Sequence, residues 1–522
     1  MKKLIFAFTC LFLAVTCRAR IITVDWYGSG DYLTIQAAID DSNDGDIIIV
    51  RNGTYTGDCN RDIDFLGKAI TVRSENGPEY CIIDCNGTGS DQHRGFFLHS
   101  GEDANSAIIG FTITNGFALF EYLPPFFEKL SEGGAILLEN SSPTISNCII
   151  TGNSTLANYA YGGGICIRGG GPTITNCILS RNWAYLDGGG LYSMEGNPTI
   201  TNCTFSGNQA QFGGGIRCEH GSITVTNCIL WGNRDNRGED AYSQFSAVHP
   251  TTVFINYYCI QGVPGTLNPL FADSNNDDYH LQSQAGRWEP NSQNWVQDDV
   301  TSPCIDTGDP NSDWTAELWP HGKRINMGAY GGTPQASMSP LTDFGYIADL
   351  NNDDKVDFGD LKLFTKEWQN EQPLLSEDLD RDGFVNFDDL AIFGLQWSYP
   401  SALEPGITYQ VEKCDPNSYR SPAAEPAIET RFSVTVEGLY IHFKDMMVAN
   451  CCTDKLGLEM TVEDNLVTIY EIEYIPGVCF CICDYPVTAT LGPFEPDAYV
   501  LEVYEDWGGF IGSTSVVINP PQ

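Results

Sequence analysis

Short runs of alternating apolar and polar residues, without a helical period, dominate the first two thirds of the chain. Four similar segments begin at Gly133, Gly162, Gly188 and Gly213, and each contains an Asn-Cys pair. These pairs recur every 25 to 29 residues, and Ile, Thr and Val runs alternate with Gly, Asn and Pro. The pattern predicts short strands and tight turns. Because one such strand set cannot bury its apolar side alone, the repeats must stack, which predicts a solenoid with a continuous core.

The alternation within a repeat also predicts which side chains enter the core. Ile200, Asn202, Cys203 and Phe205 all point inward if the chain bends after Asn202. Equivalent residues then stack from repeat to repeat. The sequence therefore predicts an asparagine ladder that consists of Asn147, Asn176, Asn202 and Asn227. It also predicts a stack of thiols that consists of Cys148, Cys177, Cys203 and Cys228. One cysteine per repeat favours core packing over metal binding.

The segments that flank the repeats predict caps for the two ends of the solenoid, which exposed terminal repeats require. Before the repeats, the pattern predicts a short amphipathic helix from Thr34 to Asp41 and an apolar strand from Ile47 to Val50. After them, the segments NPLFADSNNDDYHLQ from Asn268, SPCIDTGDP from Ser302 and INMGAYGG from Ile325 predict a terminal module.

The repeats resemble the right-handed parallel β-helix repeats of the pectin-lyase-like superfamily. Their GGA(I) and xxxN pattern is similar to that of the polymorphic outer-membrane proteins. The flanking segments resemble the opening of pectate-lyase-like β-helices and the terminal module of secreted bacterial β-helix proteins. The resemblance covers about residues 21–332 and implies an all-β, right-handed parallel β-helix solenoid. Because this fold hosts lyases, hydrolases, esterases, adhesins and inert scaffolds, it selects no function.

The pattern changes twice beyond residue 340. Two twelve-residue acidic loops, from Asp349 and from Asp378, each precede an apolar helical stretch, at Leu361 to Trp368 and at Leu390 to Trp397. The final segment has alternating runs such as FSVTVEGLYIHF and many cysteines, which predict a Cys-rich β-sandwich. The predicted organisation is a signal peptide (1–19), the capped β-helix (20–332), a linker (333–343), a small α-helical paired-loop module (344–398), a second linker (399–408) and the β-sandwich (409–522).

Composition and targeting signals indicate an exported protein. Lys+Arg 27 against Asp+Glu 68 give a formal net charge of −41 without a local basic patch, which excludes a nucleic-acid backbone binder. Residues 1–19 have the charged start, apolar middle and small-residue end of a secretory signal peptide, and cleavage near Ala19 is favoured over lipidation at Cys17. No later segment is apolar enough to span a membrane, so we expect an extracellular or cell-surface protein without a transmembrane segment. The 17 cysteines left after cleavage predict disulfides and at least one free thiol.

The two acidic loops have the spacing of calcium-binding loops. Calcium takes six to eight oxygens, and such a loop supplies them from positions 1, 3, 5, 7, 9 and 12, with position 7 using its backbone carbonyl. Two loops in tandem predict two Ca²⁺ sites. Their predicted ligands are Asp349, Asn351, Asp353, Lys355, Asp357 and Asp360 in the first loop and Asp378, Asp380, Asp382, Phe384, Asn386 and Asp389 in the second.

Asp at loop position 12 and the loop-then-helix layout resemble a type I dockerin. The resemblance implies attachment to a cohesin-like protein and an association with polysaccharide degradation. Asp354 replaces the loop glycine, which predicts a weaker first site. Phe358 and Phe387 stand at partner-reading positions where dockerins have a small hydroxyl residue. A calcium-stabilised spacer within the chain is therefore an open alternative to partner binding.

One outward strip of the solenoid is the candidate substrate surface, because flat stacked strands present a long groove that suits a polymer. Arg168, Tyr192 and Arg217 are its predicted sugar-binding residues, since an aromatic face stacks on a sugar ring and the arginines bind hydroxyls. The weak candidates for a general acid and base are Glu139, Asp187 and Glu219. The remaining members of the strip are Leu137, Cys166 and His220. Mixed charge that keeps exposed strands soluble is the alternative interpretation.

The sequence leaves catalysis open. The GHG and RIK segments of polygalacturonases and the QD and WGRPW segments of pectinesterases are absent. A pectate-lyase-like arginine base at Arg168 or Arg217 lacks an accompanying aspartate cluster. We therefore expect a secreted modular protein that engages extracellular polysaccharide, as a polysaccharide lyase or glycoside hydrolase if it is an enzyme. A non-catalytic adhesin or structural surface protein with the β-helix as rigid scaffold is the alternative.

Overall fold

The computed structural model describes residues 19–118, 121–123, 128–248, 250–340, 346–372 and 374–397, and then eight strand segments between residues 406 and 518. The predicted signal peptide lies almost entirely outside the described residues. The chain divides into two compact units. One comprises Met1–Ile347 and Glu367–Asp389, and the other comprises Ala348–Lys366 and Leu390–Gln522.

Three faces of parallel strands form the solenoid of the first unit. Face A follows the glycine runs of the repeats and consists of Phe96–Leu98, Ile136–Glu139, Ile165–Arg168, Leu191–Met194, Ile216–Glu219 and Phe245–Val248. Face B consists of Ile21–Val24, Ile47–Val50, Thr71–Ser74, Ala107–Ile109, Thr144–Ser146, Thr173–Thr175 and Thr199–Thr201. Face C consists of Gly53–Thr56, Cys81–Asp84, Thr112–Thr114, Ile149–Thr151, Ile178–Ser180 and Thr204–Ser206.

The long strand Ser222–Trp231 joins faces B and C, and Thr252–Ile260 pairs with it in parallel. Smaller sheets lie around the solenoid. They comprise Glu121–Leu123 with Glu128–Glu132 and Tyr159–Tyr161, Ser154–Thr155 with Trp183–Ala184, Phe271–Asp273 with Asp278–Leu281, and Arg287–Glu289 with Asn294–Val296. The helices of this part are Ile35–Asp41, Ala241–Gln244 and the 3-10 turn Ser274–Asn276.

Alternate residues of each strand fill the solenoid core, as the period-two pattern predicts. Ile200, Cys203 and Phe205 are fully buried in one continuous apolar cluster. The first helix begins at Ile35, with Thr34 as its N-cap residue, and the strand Ile47–Val50 has the predicted bounds. The expected solenoid with one shared core is therefore confirmed.

The thiol stack is confirmed, and the cysteines in the described part of the solenoid form no disulfide. The expected disulfides of the final segment involve cysteines whose side chains lie outside the described residues. Cys148, Cys177, Cys203 and Cys228 are all buried, and the backbone N–H of Cys177 donates to Sγ of Cys203 at 3.4 Å. The cysteines of the described residues whose side chains are placed are free thiols. Burial among apolar residues explains the stack without any crosslink.

The predicted asparagine ladder is wrong in its position. Asn147 and Asn176 adopt left-handed φ angles of 51° at the corner between faces B and C, and they do not bond each other. Asn176 Nδ2 instead donates to the carbonyl of Gly331 at 2.8 Å. The equivalent residues behave similarly, as Asn202 bonds Gly331 and Asn227 bonds Ser312. These asparagines thus serve the bend and the module that covers it, not the core.

The observed ladder lies one corner further, between faces C and A. Asn153 Nδ2 donates to Asn182 Oδ1 at 3.0 Å, Asn182 to Asn208 at 3.0 Å, and Asn208 to Asn233 at 2.8 Å. Asn233 in turn donates to Gln244 Oε1 at 2.8 Å, which ends the ladder. All five amide side chains are buried. We call each turn of the solenoid, with one strand on each face, a rung. Adjacent rungs are therefore joined by a hydrogen bond between buried amides as well as by strand pairing.

The module predicted as a terminal cap covers a lateral face of the solenoid. Ile178 on the outer side of face C packs against Tyr279 and Ala329, and Ile229 packs against Leu281 and Cys304. The outward row of face C includes the apolar residues Ile149, Ile178 and Ile229, and residues beyond 268 cover it. The prediction of an end cap alone is therefore corrected to a cover along face C.

The second unit contains a helix at Phe358–Phe364 and two four-stranded sheets, and the helix Phe387–Gln396 spans the boundary between the units. One sheet has the order Gly406–Val411, Ile482–Gly492, Tyr440–Asn450 and Ser433–Glu437, and the other has the order Lys455–Glu463, Leu466–Tyr474, Ala498–Glu505 and Phe510–Val517. Residues of both sheets share one apolar cluster. Among the described residues, no helix has the length and hydropathy needed to cross a membrane.

Candidate functional site

The predicted substrate strip on face A is covered, not exposed. Leu137, Cys166 and Tyr192 lie side by side on adjacent strands and are buried, and Tyr192 is only 2% exposed. The ring of Tyr161 stacks on the ring of Tyr192 with centroids 4.6 Å apart. A sugar ring cannot reach Tyr192 without displacing Tyr161. The prediction that Tyr192 presents an exposed aromatic face is therefore wrong.

The cover is a column of residues that precede the glycine runs. Glu132, Tyr161, Asp187 and Phe212 are adjacent in consecutive rungs through parallel bridges. The chain then turns back onto face A at a glycine. At Gly188, with φ of 67°, an added Cβ would lie 2.8 Å from Cβ of Tyr192, so only glycine permits the approach. The glycine runs thus fold the preceding residue over the outer side of face A.

Arg217 forms ion pairs with two carboxylates of this surface. Its Nε lies 3.3 Å from Oδ1 of Asp187, and its Nη2 lies 3.2 Å from Oε1 of Glu219. The Tyr192 hydroxyl donates to Glu219 Oε2 at 3.1 Å, and Arg217 Nη1 donates to Ser246 Oγ at 2.7 Å. Burial raises the pKa of Asp187 to about 6, although the Arg217 charge opposes this shift. Burial likewise raises the pKa of Tyr161 to about 12.

The structure brings two of the three catalytic candidates together. Asp187 and Glu219 share Arg217, whereas Glu139 lies three strands away on face A, about 14 Å at the usual strand spacing. A glycosidase pair stands roughly 5–10 Å apart, so Glu139 does not pair with Glu219. A buried carboxyl group with a pKa near 6 is suited to general acid work. The catalytic role of Asp187 and Glu219 stays a prediction.

Glu132 completes the surface, and it was not among the residues predicted from the sequence. Arg168 Nε lies 2.8 Å from Oε1 of Glu132, which is 5% exposed. Arg168 is thus engaged by a carboxylate and is not a free sugar ligand. The signal that would have identified Glu132 and Tyr161 is their position directly before a glycine run, because that run folds them onto face A.

The first acidic loop brings carboxylates together around one point. Asp349, Asp353 and Asp360 each place an oxygen within 4.8 Å of the others. Backbone N–H groups of the same loop donate to these carboxylates. Asp349 accepts from the N–H of Asp354 at 2.8 Å, and Asp360 accepts from the N–H of Asn351 at 3.0 Å. Asp360 is fully buried. Burial, followed by the nearby carboxylates, raises the pKa of Asp349.

The second loop repeats this arrangement. Asp378, Asp380 and Asp389 converge within 4.8 Å, and Asp389 is fully buried. Asp378 accepts from the N–H of Gly383 at 2.9 Å, and Asp389 accepts from the N–H of Asn386 at 2.8 Å. Burial raises the pKa of Asp378 to about 6, and the charge of Asp389 contributes. A divalent cation would offset the repulsion among these carboxylates, so the donor set fits Ca²⁺.

The other predicted ligands lie within the loops but outside the two carboxylate clusters. Asp357 caps the helix Phe358–Phe364, and its side chain accepts from the N–H of Gly359. The remaining ones are Asn351, Lys355, Asp382, Phe384 and Asn386. At loop position 6, Asp354 has φ of 68° and Gly383 has φ of 93°. A left-handed backbone is therefore present at this position in both loops, and only the second loop has a glycine there.

Comparison with protein families supports the fold. The family model of the right-handed β-helix region matches residues 126–251, which contain the four repeats. The solenoid is a right-handed parallel β-helix. A family model described as disaggregatase related matches residues 261–308, which overlap the cover of face C. No curated protein matches the chain.

Two solved structures are similar to the solenoid at low sequence identity. Pectate lyase Pel9A is 14% identical, with 59% of this chain and 96% of that chain covered and a TM-score of 0.31. The pectin methylesterase from carrot is also 14% identical, with 47% and 85% covered and a TM-score of 0.21. Similarity at this level transfers neither activity nor site residues.

Proposed function

We propose that the chain is an exported, calcium-binding modular protein whose β-helix engages an extracellular polysaccharide. The observation that carries the proposal is the convergence of three carboxylates in each acidic loop, with Asp360 and Asp389 fully buried. Buried carboxylates in contact with one another are costly unless a cation neutralises them. The loops therefore hold Ca²⁺ in this proposal. The charged start and apolar run of residues 1–19 support export.

Isothermal titration calorimetry of the chelator-treated full chain with CaCl₂ tests the calcium proposal. We expect two binding events and a rise in thermal stability, about 2.7 kcal/mol per site at 100 times Kd. Asp353→Ala should remove the first event and Asp382→Ala the second, because both residues stand at loop position 5, although only Asp353 belongs to a carboxylate cluster. The event that remains in Asp353→Ala should be the tighter one, because Gly383 adopts its backbone angle without the cost that Asp354 bears.

Asp299→Ala is the matched control, since it removes an exposed carboxylate outside the loops. Absence of calcium heat from the wild-type chain would contradict the proposal. Tighter binding by Asp382→Ala than by Asp353→Ala would contradict the order of the two sites.

A cohesin-like protein is the proposed partner of the loop region. Phe358 and Phe387, at the partner-reading positions, are 76% and 74% exposed. Each contacts one tryptophan edge-on at 5.0 Å, Trp397 for Phe358 and Trp368 for Phe387. Contiguous exposed apolar groups mark protein interaction sites. Each of the two positions is apolar where dockerins present a small hydroxyl residue, so the partner should present apolar side chains to each.

The polysaccharide proposal rests on the outer surface of the solenoid. Stacked rungs place outward side chains at equivalent positions about every 4.8 Å, and a polymer can contact several rungs at once. A non-catalytic adhesin that uses the β-helix as a rigid scaffold is the second candidate, and the ion pairs that occupy Arg168 and Arg217 favour it over an enzyme on face A.

A screen of neutral and acidic polysaccharides distinguishes these candidates. We expect the full chain with Ca²⁺ to be retained by at least one polysaccharide. An enzyme would also release reducing ends or unsaturated products, and Asp187→Asn and Glu219→Gln would end that release while retention persists. Retention without products favours the adhesin, and the absence of retention on every polymer would contradict the polysaccharide proposal.

A further inference from the structure

A second outward surface lies at the corner between faces C and A, directly after the asparagine ladder. Ser154, Trp183, Gln209 and Arg234 are neighbours in consecutive rungs through parallel pairing. Two residues later in each rung come Leu156, Tyr185, Gln211 and Asn236. The residues between the two columns, such as Ala210 and Asp235, are buried, so both columns point outward. We name Trp183, Tyr185, Gln209, Gln211, Arg234 and Asn236 the corner shelf.

Two aromatic side chains form one end of the corner shelf. Tyr185 is 51% exposed and Trp183 is half-buried. Their rings meet edge to face, with centroids 6.3 Å apart and planes at 75°. Unlike Tyr192 on face A, Tyr185 has no aromatic ring stacked over it among the described residues. Exposed Trp and Tyr rings combine an apolar face with a polar edge, which suits the apolar face of a sugar ring.

Amide side chains continue the corner shelf on the next two rungs. Gln209, Gln211 and Asn236 have no side-chain hydrogen bond within the described part of the chain. Each offers two donors and one acceptor, which match the hydroxyl groups of a sugar. The shelf borders an open groove of about 460 Å³, a volume within the range of ligand sites.

The charges beside the corner shelf are already neutralised. Arg234 Nη2 lies 2.9 Å from Glu239, and Arg237 Nη2 lies 2.6 Å from the buried Asp235. No unpaired cation among the described residues lines the groove to attract carboxylates. The chain itself carries a net charge of −41. A chain of uronic acids would therefore be repelled, whereas an uncharged glycan would not.

We propose that the corner shelf binds an uncharged oligosaccharide chain, with sugar rings against Trp183 and Tyr185 and hydroxyls bonded by Gln209, Gln211 and Asn236. This inference rests on the proposed polysaccharide function and specifies its site and substrate class. The chain runs along the column of rungs, from the aromatic end to the amide end. The face A strip, which Tyr161 covers, takes no part in this binding.

Calorimetry of the full chain in calcium with cellohexaose, mannohexaose and hexagalacturonate tests the inference. We expect binding to a neutral hexasaccharide and none to hexagalacturonate. The double variant Trp183→Ala with Tyr185→Ala should lower affinity at least tenfold, and Gln209→Ala with Gln211→Ala should lower it several-fold. Tyr27→Ala is the matched control, because Tyr27 is 79% exposed and lies outside the shelf. Tyr27→Ala should leave the unfolding midpoint within about 2 °C of wild type, and thermal melts of the shelf variants, which include the half-buried Trp183, check that they remain folded.

The outcomes separate the inference from the proposed function. Unchanged affinity in the Trp183 and Tyr185 variant, with the wild type binding a neutral hexasaccharide, overturns the shelf and leaves the function standing. Binding of hexagalacturonate alone overturns the uncharged class. Absence of binding to every hexasaccharide and to every polymer of the screen overturns the function and the shelf together.

Discussion

The buried ladder at the corner between faces C and A makes a strong prediction about stability. Asn208→Ala removes one amide from the middle of this ladder. In the wild type, Asn208 Oδ1 accepts from the N–H and from Nδ2 of Asn182, both at 3.0 Å. Its Nδ2 donates to the carbonyl of Leu179 at 2.7 Å. The same Nδ2 donates to Asn233 Oδ1 at 2.8 Å. The variant therefore removes the partner of two buried donors and of two buried acceptors.

The magnitude follows from the cost of unsatisfied buried groups. Each costs about 1–3 kcal/mol, and the two Asn182 donors alone give about 2–6 kcal/mol. Since small domains are stable by about 5–15 kcal/mol, the loss is a large fraction of the total. Asn147→Gly is the matched control. It removes an exposed amide that has no side-chain hydrogen bond to any described residue, and glycine keeps the left-handed backbone there.

Urea unfolding in saturating Ca²⁺, followed by tryptophan fluorescence, measures both variants. We expect Asn208→Ala to lose at least about 2 kcal/mol and Asn147→Gly to change by less than about 0.5 kcal/mol. A loss below about 1 kcal/mol for Asn208→Ala would refute the ladder as a stabilising element. An equal loss in Asn147→Gly would restore the ladder position expected from sequence.

Two further predictions concern buried groups elsewhere in the first unit. Cys203→Arg should yield no cooperatively melting protein, because the buried charge costs several kcal/mol, whereas Cys203→Ser keeps the partners Cys177 N–H and Thr201 carbonyl and should fold. A cooperative melt of Cys203→Arg would contradict the core assignment. Burial raises the pKa of Glu317 to about 8, so its stabilising contribution is complete below about pH 4.5 and lost as the pH rises through 8. Glu317→Gln should therefore be more stable than wild type by a few kcal/mol at pH 9 and similar at pH 4. Melting temperatures of the two proteins that differ by the same amount at both pH values would contradict this.

The alternation of apolar residues was sufficient to predict the core, because a strand buried on one side has only one acceptable register. It was insufficient to place the asparagine ladder, because each repeat contains an asparagine at two corners. Asn202 and Asn208 have different roles because their backbone angles differ and because different residues cover them. The residue type, asparagine in both cases, reveals neither difference. The left-handed φ at Asn202 marks a bend, while Asn208 follows the next bend and turns inward.

The prediction of an exposed strip on face A was wrong for a related reason. Alternation correctly assigns Leu191 to the inside and Tyr192 to the outside, but it does not say what covers the outside. Tyr161 comes from the preceding rung, and only the close approach of Gly188 to Tyr192 indicates that the chain folds over this face. The convergence of carboxylates in each acidic loop was predicted better, because these residues are local in sequence and the loop spacing itself brings them together. Calcium binding by these loops stays a prediction.

Hydroxyl-radical footprinting of the full chain, with and without a neutral hexasaccharide, tests the central claim most directly. In the free protein, Tyr185 and Tyr27 should be oxidised readily and Tyr192 slowly, in line with their exposures of 51%, 79% and 2%. The sugar should protect Tyr185 and Trp183 and leave Tyr27 unchanged. Fast oxidation of Tyr192 in the free protein, or protection of Tyr192 in place of Tyr185, would contradict a sealed face A and a sugar site on the corner shelf.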